Sequence, residues 1–526
     1  MGRTHRLARV LTLALGLSVA LGSVHRVSHA GDAGPGTWRA GTGPVGGGGL
    51  EELSGASDGS EVEIIEAPGA RPSGSGLEEQ SDEPRYILED VVVVGNRKTR
   101  TSLILKDLGL EPGDVVTPAD PRVSAARLRL LALGYFLDVQ LSLAKGPRRG
   151  TAILEVRVEE RGTIILNGLF LGTSEATALW GGLDMAETNF LGRGILLSGG
   201  FVHSTQPTVP GAEPGQAYRL QLGAPVPDLE GPWLSASFLY SQGSEFFRAF
   251  GDPGEVDPLD HVAVNTRRIG GRLGIGFSLS RITRLTAETR LEGLHAALPR
   301  IRTRDLGGGR ALPIDFSIGE GDSRLSSLLL SLDVDTRDDP FLPRTGQRLL
   351  FSFETALAVA GSHYAFSKGV LHWSRHFALS RGRHGLSVHG LAGVISGAAP
   401  YFDRFFIADL NALLPSRALG LSFSTLPSRN LLGTSVDERR FDDYAGRVMV
   451  EYAAALWRGR GFLYRADLFA GVGIFALTSA ADLRLRTGPL YGAIPMDLTA
   501  DFGLRLDTLI GIFNISVANA LGRIPY

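Results

Sequence analysis

The stretch Asp335-Thr336-Arg337-Asp338-Asp339-Pro340-Phe341-Leu342-Pro343-Arg344-Thr345-Gly346 separates two runs of alternating side chains. Before it, Ser326, Leu328, Leu330, Leu332 and Val334 share one parity, while Ser327, Leu329, Ser331, Asp333 and Asp335 share the other. After it, Leu349, Phe351, Phe353 and Leu357 alternate with Arg348, Leu350, Ser352 and Glu354. Successive strand residues point to opposite faces, so each run has one greasy and one mostly polar face. Two prolines and a glycine forbid a continuing strand between the runs, which makes the stretch a turn. Read alone, the pair fits a soluble hairpin as well as a membrane one.

The same two-faced pattern repeats from Thr163 to Tyr526. Leu234, Ala236, Phe238 and Tyr240 alternate with Ser235, Ser237 and Ser241; Ile269, Leu273, Ile275 and Phe277 alternate with Arg268, Arg272 and Ser278. Leu285, Ala287 and Leu291 alternate with Thr286, Glu288, Arg290 and Glu292, and Phe502, Leu504 and Leu506 with Asp501, Arg505 and Asp507. A soluble sandwich rarely needs so many strands in one unbroken series. An apolar outside around a polar lumen accounts for the whole run, and strands of ~9 to 11 residues plus turns give roughly 14 to 16 crossings.

Composition narrows the class. The 526 residues include 69 Gly and no Cys, carry a net charge of -2, and are 21% charged, which offers no basic footprint for nucleic acid. Arg3, Arg6 and Arg9, the apolar run Val10 to Gly22 and Ser28-His29-Ala30 form an expected export signal over residues 1–30. Beyond it lies no run of the ~18 apolar residues that a spanning helix needs. An exported chain can still span a membrane as a closed barrel, because closure satisfies every backbone group. Residues 31–85 are rich in Gly, Pro and Ser, with Glu51, Glu52, Glu61, Glu63, Glu66, Glu78 and Glu79, and are expected to form a disordered linker.

Residues 86–161 have the order strand, helix, helix, strand, strand. Ile87 to Val94 is expected as the first strand, stopped at Gly95-Asn96. A helix follows over Thr101 to Leu108 with Gly109 as its left-handed stop, and a second opens at Thr117-Pro118. Strands are expected again at Leu137 to Leu143 and Thr151 to Glu159. With Val94-Gly95-Asn96, Gly109, Gly113-Asp114 and Gly134-Tyr135-Phe136 followed by Val139, the segment resembles a polypeptide-transport-associated (POTRA) domain, the periplasmic module of outer-membrane assembly porins. The resemblance implies client capture by strand addition at a sheet edge, here Val91, Val92, Val93 and Val94.

Asn189-Phe190-Leu191-Gly192-Arg193-Gly194, together with the POTRA order and the repeated hairpins, makes residues 162–526 similar to the surface-antigen barrel of the BamA and TamA type. The fold expected is mostly β: a 16-stranded transmembrane antiparallel β-barrel preceded by one periplasmic α+β POTRA domain, in the cell outer membrane. The insert between Tyr401 and Tyr444 matches in size the family's sixth extracellular loop, whose arginine locks into the lumen. Here the nearest string is Arg417-Ala418-Leu419-Gly420, so Arg417 and Gly420 are the lock candidates, with Glu451 or Asp467 as the acid. Alternatively those acids pair with Arg447 and Arg465. The resemblance also implies a lateral seam between the first and last strands, involving Thr163, Phe170, Phe513, Ile515 and Val517, with the terminal aromatic Tyr526 resembling an assembly signal.

No nucleophile elbow, phosphate loop or metal-spaced cluster is present in the sequence. His372 and His376 sit four apart on a strand, a spacing that separates them along one face. No catalytic residue, metal or cofactor is therefore expected. The implied function is insertion of unfolded outer-membrane proteins, with outer-membrane lipid and periplasmic or lipoprotein accessory factors as further partners. The alternatives are a two-partner-type secretion pore and a passive channel.

Overall fold

The structure, a computed structural model, describes residues 84–226, 232–251, 257–280, 282–338, 342–380, 383–410, 417–425, 441–459, 461–479, 496–508 and 511–518. The expected export signal, nearly all of the linker, and Tyr526 lie outside the described residues.

The first unit comprises β1 (Tyr86–Val94), α1 (Thr101–Leu108), β2 (Val115–Val116), α2 (Pro121–Ala132), β3 (Phe136–Lys145) and β4 (Thr151–Glu160). Its sheet order is β2-β1-β4-β3, with β1 and β4 parallel. Leu88, Ile104, Leu108, Ala126, Leu130, Val139, Leu154 and Val156 form its core, which is the burial expected of two helices covering one sheet face. Gly109 takes φ +63, as expected of a left-handed helix stop. The second helix begins at Pro121 rather than at Thr117-Pro118. Asp120 repeats the capping signal three residues later and accepts the Arg122 amide at 2.8 Å, so the later signal wins.

The second unit is a single 15-stranded sheet among the described residues. Its strands are β5 (Ile164–Gly172), β6 (Trp180–Phe190), β7 (Ile195–Ser204), β8 (Gln216–Pro225), β9 (Trp233–Arg248), β10 (His261–Ser278) and β11 (Thr283–Ala297), then β14 (Gly321–Asp335), β15 (Gly346–Ala356), β16 (Phe366–Leu379), β17 (His384–Gly397), β22 (Tyr444–Arg458), β23 (Leu463–Thr478), β24 (Met496–Thr508) and β25 (Gly511–Ala518). Every neighbouring pair is antiparallel and consecutive in the sheet. The remaining short strands are β12 (Thr303–Asp305) with β13 (Ala311–Pro313), β18 (Phe405–Phe406) with β21 (Phe441–Asp442), and β19 (Arg417–Ala418) with β20 (Leu421–Ser422), all in the connections.

Parity decides the faces. On β10, Ile269 and Leu273 are 51% and 63% exposed, whereas Arg268 and Arg272 are 4% each. The apolar residues point outward and the charges inward, the reverse of a soluble protein. The sheet is rolled: its first and last strands approach at one rim, where Gly511 lies beside Leu166. No ladder joins β25 to β5 among the described residues, and the expected count of sixteen strands stands against fifteen described.

The longest connections, between β11 and β14, β17 and β22, and β23 and β24, all leave from one rim, and the first unit sits at the other. Asp335 to Gly346 is a turn on that second rim. Asp335 pairs with Arg337, Thr336 exchanges bonds with Gln347, and Asp338 accepts the amides of Arg344 and Thr345 at 2.9 and 3.1 Å. Its Leu342 is buried, and the Leu342 carbonyl accepts Arg465 Nη1 from β23 at 3.2 Å.

Candidate functional site

The interior of the rolled sheet holds a block of charge. Inward positions of β10 and β11 supply Arg268, Arg272, Glu288, Arg290 and Glu292, while β15 supplies Glu354 and β16 supplies Lys368. Gly270 stands opposite Glu292, and a Cβ there would collide with it; the glycine makes room for the inward acid. Arg290 is fully buried. It donates to Glu292 through Nε at 2.6 Å and Nη2 at 3.0 Å, and to Glu354 through Nη1 at 3.2 Å. Arg268 donates to Glu292 at 3.0 Å, and Arg272 lies 3.8 Å from Glu354.

The eighth charge comes from the long connection between β17 and β22. Tyr401–Asp403 makes one 3-10 turn inside the rolled sheet, and Asp403 accepts Arg290 Nη1 at 3.0 and 3.2 Å. Lys368 Nζ donates to the Asp403 carbonyl at 2.7 Å, the Tyr401 hydroxyl meets Thr266 Oγ1 at 3.0 Å, and the Arg268 guanidinium lies 3.9 Å from the Phe402 ring centroid. Among the described residues four cations thus face four carboxylates, and such pairing is what permits so many charges to be buried together.

A second fastening lies further along the same connection. β19 and β20 form a minimal hairpin whose two central residues, Leu419 and Gly420, have φ 49 and 82, the left-handed pair of a type I′ turn. Arg417 lies over the rings of Phe406 (4.6 Å) and Phe441 (5.6 Å) and 3.9 Å from Glu245 on β9. Ser422 donates to the same Glu245 at 2.6 Å. Phe423 stacks on Trp180 with centroids 4.6 Å apart, and Ser424 and Thr425 bond Glu175 at 2.6 to 2.9 Å.

The first unit is joined to the sheet by Asn189 to Gly194, the turn between β6 and β7. Arg100 donates its amide to the Gly192 carbonyl at 3.0 Å, and the buried Asn189 Nδ2 donates to Thr99 Oγ1 at 2.9 Å. Gly192 has φ +68, and a Cβ there would fall well under 3.0 Å from the Lys98 carbonyl oxygen. Asn96 braces the partner loop by donating to the Thr99 carbonyl and the Thr101 hydroxyl. Glu160 accepts the amides of Lys98 and Thr99 (2.7 Å for the latter); burial raises its pKa, but these amides outweigh burial and hold it below 4.5. On the other side, Arg161 reaches Asp507 at 3.9 Å and lies over the Tyr464 ring at 5.4 Å.

A family model described as a surface antigen variable number repeat, POTRA, matches residues 86–161, and one described as an Omp85 superfamily domain matches residues 189–411; the two cover more than half of the chain. The chain belongs to the Omp85 superfamily. Among solved structures, this Omp85 chain is similar to BamA from Haemophilus ducreyi lacking POTRA domains 1-3 (13% identity over 82% of this chain and 81% of that one, TM-score 0.46). It is also similar to CdiB from Acinetobacter baumannii (14%, 82% and 74%, 0.45) and CdiB from Escherichia coli (10%, 85% and 92%, 0.47). No curated protein matches.

Against this Omp85 frame the expected lock needs correction. Among the described residues the acid beside Arg417 is Glu245 at 3.9 Å, where Glu451 or Asp467 are the candidates from the sequence. Glu451 accepts Arg505 in a bidentate pair at 2.9 Å, and Asp467 is taken by Arg465 two residues away on the same inward face. The alternative pairing with Arg465 therefore holds for Asp467, while Glu451 takes Arg505 instead of Arg447. Asp403, the deeper fastening, escaped sequence reading. Its signal was the string Tyr401-Phe402-Asp403-Arg404-Phe405-Phe406 opposite Arg290, an arginine flanked two residues away on both sides by inward acids.

Val91 to Val94 lie in β1, next to the sheet end formed by β2. The two-residue β2 pairs only with Tyr86 and Ile87, so among the described residues the rest of β1 has no ladder partner on that side. Val92 and Val94 are 41% and 40% exposed. β3 presents a second edge. Of the seam residues, Thr163 is buried and accepts the Thr188 amide, Phe170 lies in β5, and Phe513, Ile515 and Val517 lie in β25. His372 lies in β16, and His376 on the same strand turns inward to Ser387; among the described residues no group of side chains is arranged to hold a metal.

Proposed function

We propose that this Omp85 protein is an outer-membrane assembly factor, which binds unfolded β-barrel chains along the open β1 edge of its POTRA domain and delivers them to the membrane at the seam between β25 and β5. The observation that carries this reading is the position of the POTRA domain. It is fastened to the β6–β7 turn on one flank of the seam and, through Arg161, to β23 and β24 on the other. A client held on its edge therefore stands beneath two sheet ends that have no ladder partner among the described residues. The fifteen described strands leave β5 and β25 running in the same direction, and an all-antiparallel closure needs an even number. One more strand at this position, from the chain or from a client, satisfies the seam.

The accompanying assignments are an export signal at 1–30, a linker at 31–85, a periplasmic POTRA domain at 86–161 and an outer-membrane barrel at 162–526. The short-turn rim then faces the periplasm and the long connections face outward. Burial of client apolar surface drives insertion, and no nucleotide is required. A passive channel is disfavoured by the interior, which is filled by Tyr401–Asp403 and the hairpin at Arg417.

Photocrosslinkers at Val92 and Phe513 test the reading in cells making outer-membrane proteins. Nascent barrel chains captured at both positions support assembly. A single secreted chain captured along the interior instead, with no barrel precursor at either position, refutes it in favour of a secretion pore.

A further inference from the structure

The outward face of β8, β9, β10, β11 and β14 changes character in rows parallel to the rim of long connections. Paired residues Gln216, Gln242, Arg267, His295 and Asp322 make a polar row across the five strands. One pleat further from the rim, Tyr218, Tyr240, Ile269, Gly293 and Arg324 follow. The next row is greasy, with Leu220, Phe238 and Leu291 at 53%, 46% and 55% exposure. A polar row, a row with tyrosines on β8 and β9, and then an apolar band is the order in which a barrel surface passes from headgroups into hydrocarbon.

Two cations are built into this boundary. Arg267 and Arg324 are both exposed, and among the described residues neither forms an ion pair. The carboxylate nearest in the row, Asp322, is occupied by His295 Nδ1 at 2.7 Å. Between the arginines stands Gly293, where an added Cβ would meet nothing closer than Ile269 at 3.9 Å. Two strand spacings and one pleat step separate the backbones of the arginines by about 12 Å, a gap that two extended side chains can span. Between them is a notch floored by the Gly293 backbone and open below onto Ile269 and Leu291; the Arg324 Nη1 rests 4.0 Å from where a Cβ of Gly361 would stand, so it swings toward Gly293 to meet a ligand.

We propose that this notch binds the phosphorylated headgroup of an outer-leaflet lipid, with a phosphate held between Arg267 and Arg324, the adjoining sugar against Tyr240, and the acyl chains along Ile269, Leu291 and Phe238. Arginine suits a phosphate because its planar fork donates two parallel hydrogen bonds. An unpaired guanidinium facing lipid has no other anion to satisfy it. The site rests on the outer-membrane placement proposed above, with this rim facing outward.

The test uses the full chain in detergent and in lipid nanodiscs, with diphosphorylated lipid A as the probe and lipid A stripped of its phosphates as control. Lipid retention is read by native mass spectrometry for the wild type, the double variant Arg267→Gln with Arg324→Gln, and Arg310→Gln, which removes an exposed loop arginine away from the band. The expected result is at least tenfold lower retention of diphosphorylated lipid A by the double variant, unchanged retention by Arg310→Gln, and weak retention of the stripped lipid by all three. Equal retention by wild type and double variant, or of both lipids by the wild type, overturns the site while leaving the placement standing. A wild-type chain that fails to enter nanodiscs overturns the placement and the site together.

Discussion

Replacing Asp403 by Ala removes the carboxylate that, among the described residues, the long connection contributes to the charge block. Asp403 and Arg290 have side chains about 1% exposed and share two contacts of 3.0 and 3.2 Å through one guanidinium nitrogen, so they count as one charge-assisted interaction. Such a bond contributes about 1.5 to 3 kcal/mol. Removing one member of a buried pair costs about 3 to 5 kcal/mol, because the other charge is stranded. Asp403→Ala belongs at the lower end, since Arg290 keeps Glu292 and Glu354. Arg290→Ala belongs at the upper end, since it removes the one cation shared by Glu292, Glu354 and Asp403. The pair should therefore show a coupling of about 2 kcal/mol in a double-mutant cycle. Thermal unfolding of the detergent-solubilised chain, followed by the electrophoretic shift between folded and unfolded barrel, measures each corner. Protease cleavage between Arg404 and Thr425 reports whether the connection has left the interior. A coupling below about 0.5 kcal/mol, the scatter of independent sites, would refute the assignment of Asp403 as the inner fastening.

Gly192→Ala must abandon the left-handed conformation or push away Lys98, at about 1 to 2 kcal/mol for the backbone and about 1 for the Arg100 bond. Faster hydrogen exchange over residues 97–101 is the expected readout, with the POTRA core unchanged. The depressed pKa of Glu160 means that its bonds to Lys98 and Thr99 stabilise this joint fully above about pH 4.5, and that the contribution vanishes as pH falls through the lower folded value. Exchange protection of those amides should drop with acid in the wild type and be pH-independent in Glu160→Gln. Trp180→Ala removes the stacking partner of Phe423 and should expose the connection beyond Leu421 to protease while leaving the Asp403 end protected. Val93→Pro removes an amide donor that faces the open edge of β1; client crosslinking at that edge should fall at least several-fold, whereas an unchanged yield would locate capture elsewhere, on β3.

The division between what the sequence reveals and what it hides follows the range of the interactions. Two-residue periodicity is local, so the outward Ile269 and Leu273 and the inward Arg268 and Arg272 could be assigned strand by strand. Helix α1 and its Gly109 stop are equally local. Helix α2 was displaced because two capping signals compete within four residues, and only the bond from Arg122 to Asp120 decides between them. Partnerships inside the rolled sheet are of another kind. Arg417 meets Glu245 and not Glu451 because the roll of the sheet brings β9 under the connection, and no periodicity encodes which wall a loop will touch. Asp403 was hidden for the same reason, since its partner lies 113 residues earlier.

The turn that begins at Asp335 does more than reverse the chain. Because the Leu342 carbonyl is held by Arg465, the hairpin of β14 and β15 is tied to β23 across the intervening β16, β17 and β22. A tie of this kind acts as a chord across an arc: it fixes the curvature of the wall it subtends. Any change in girth must then be taken up by the remaining arc, from β24 through the seam to β11. The wall is thus mechanically uneven, with a stiffer panel and a more compliant one, and the compliant panel contains the two sheet ends that no ladder joins among the described residues.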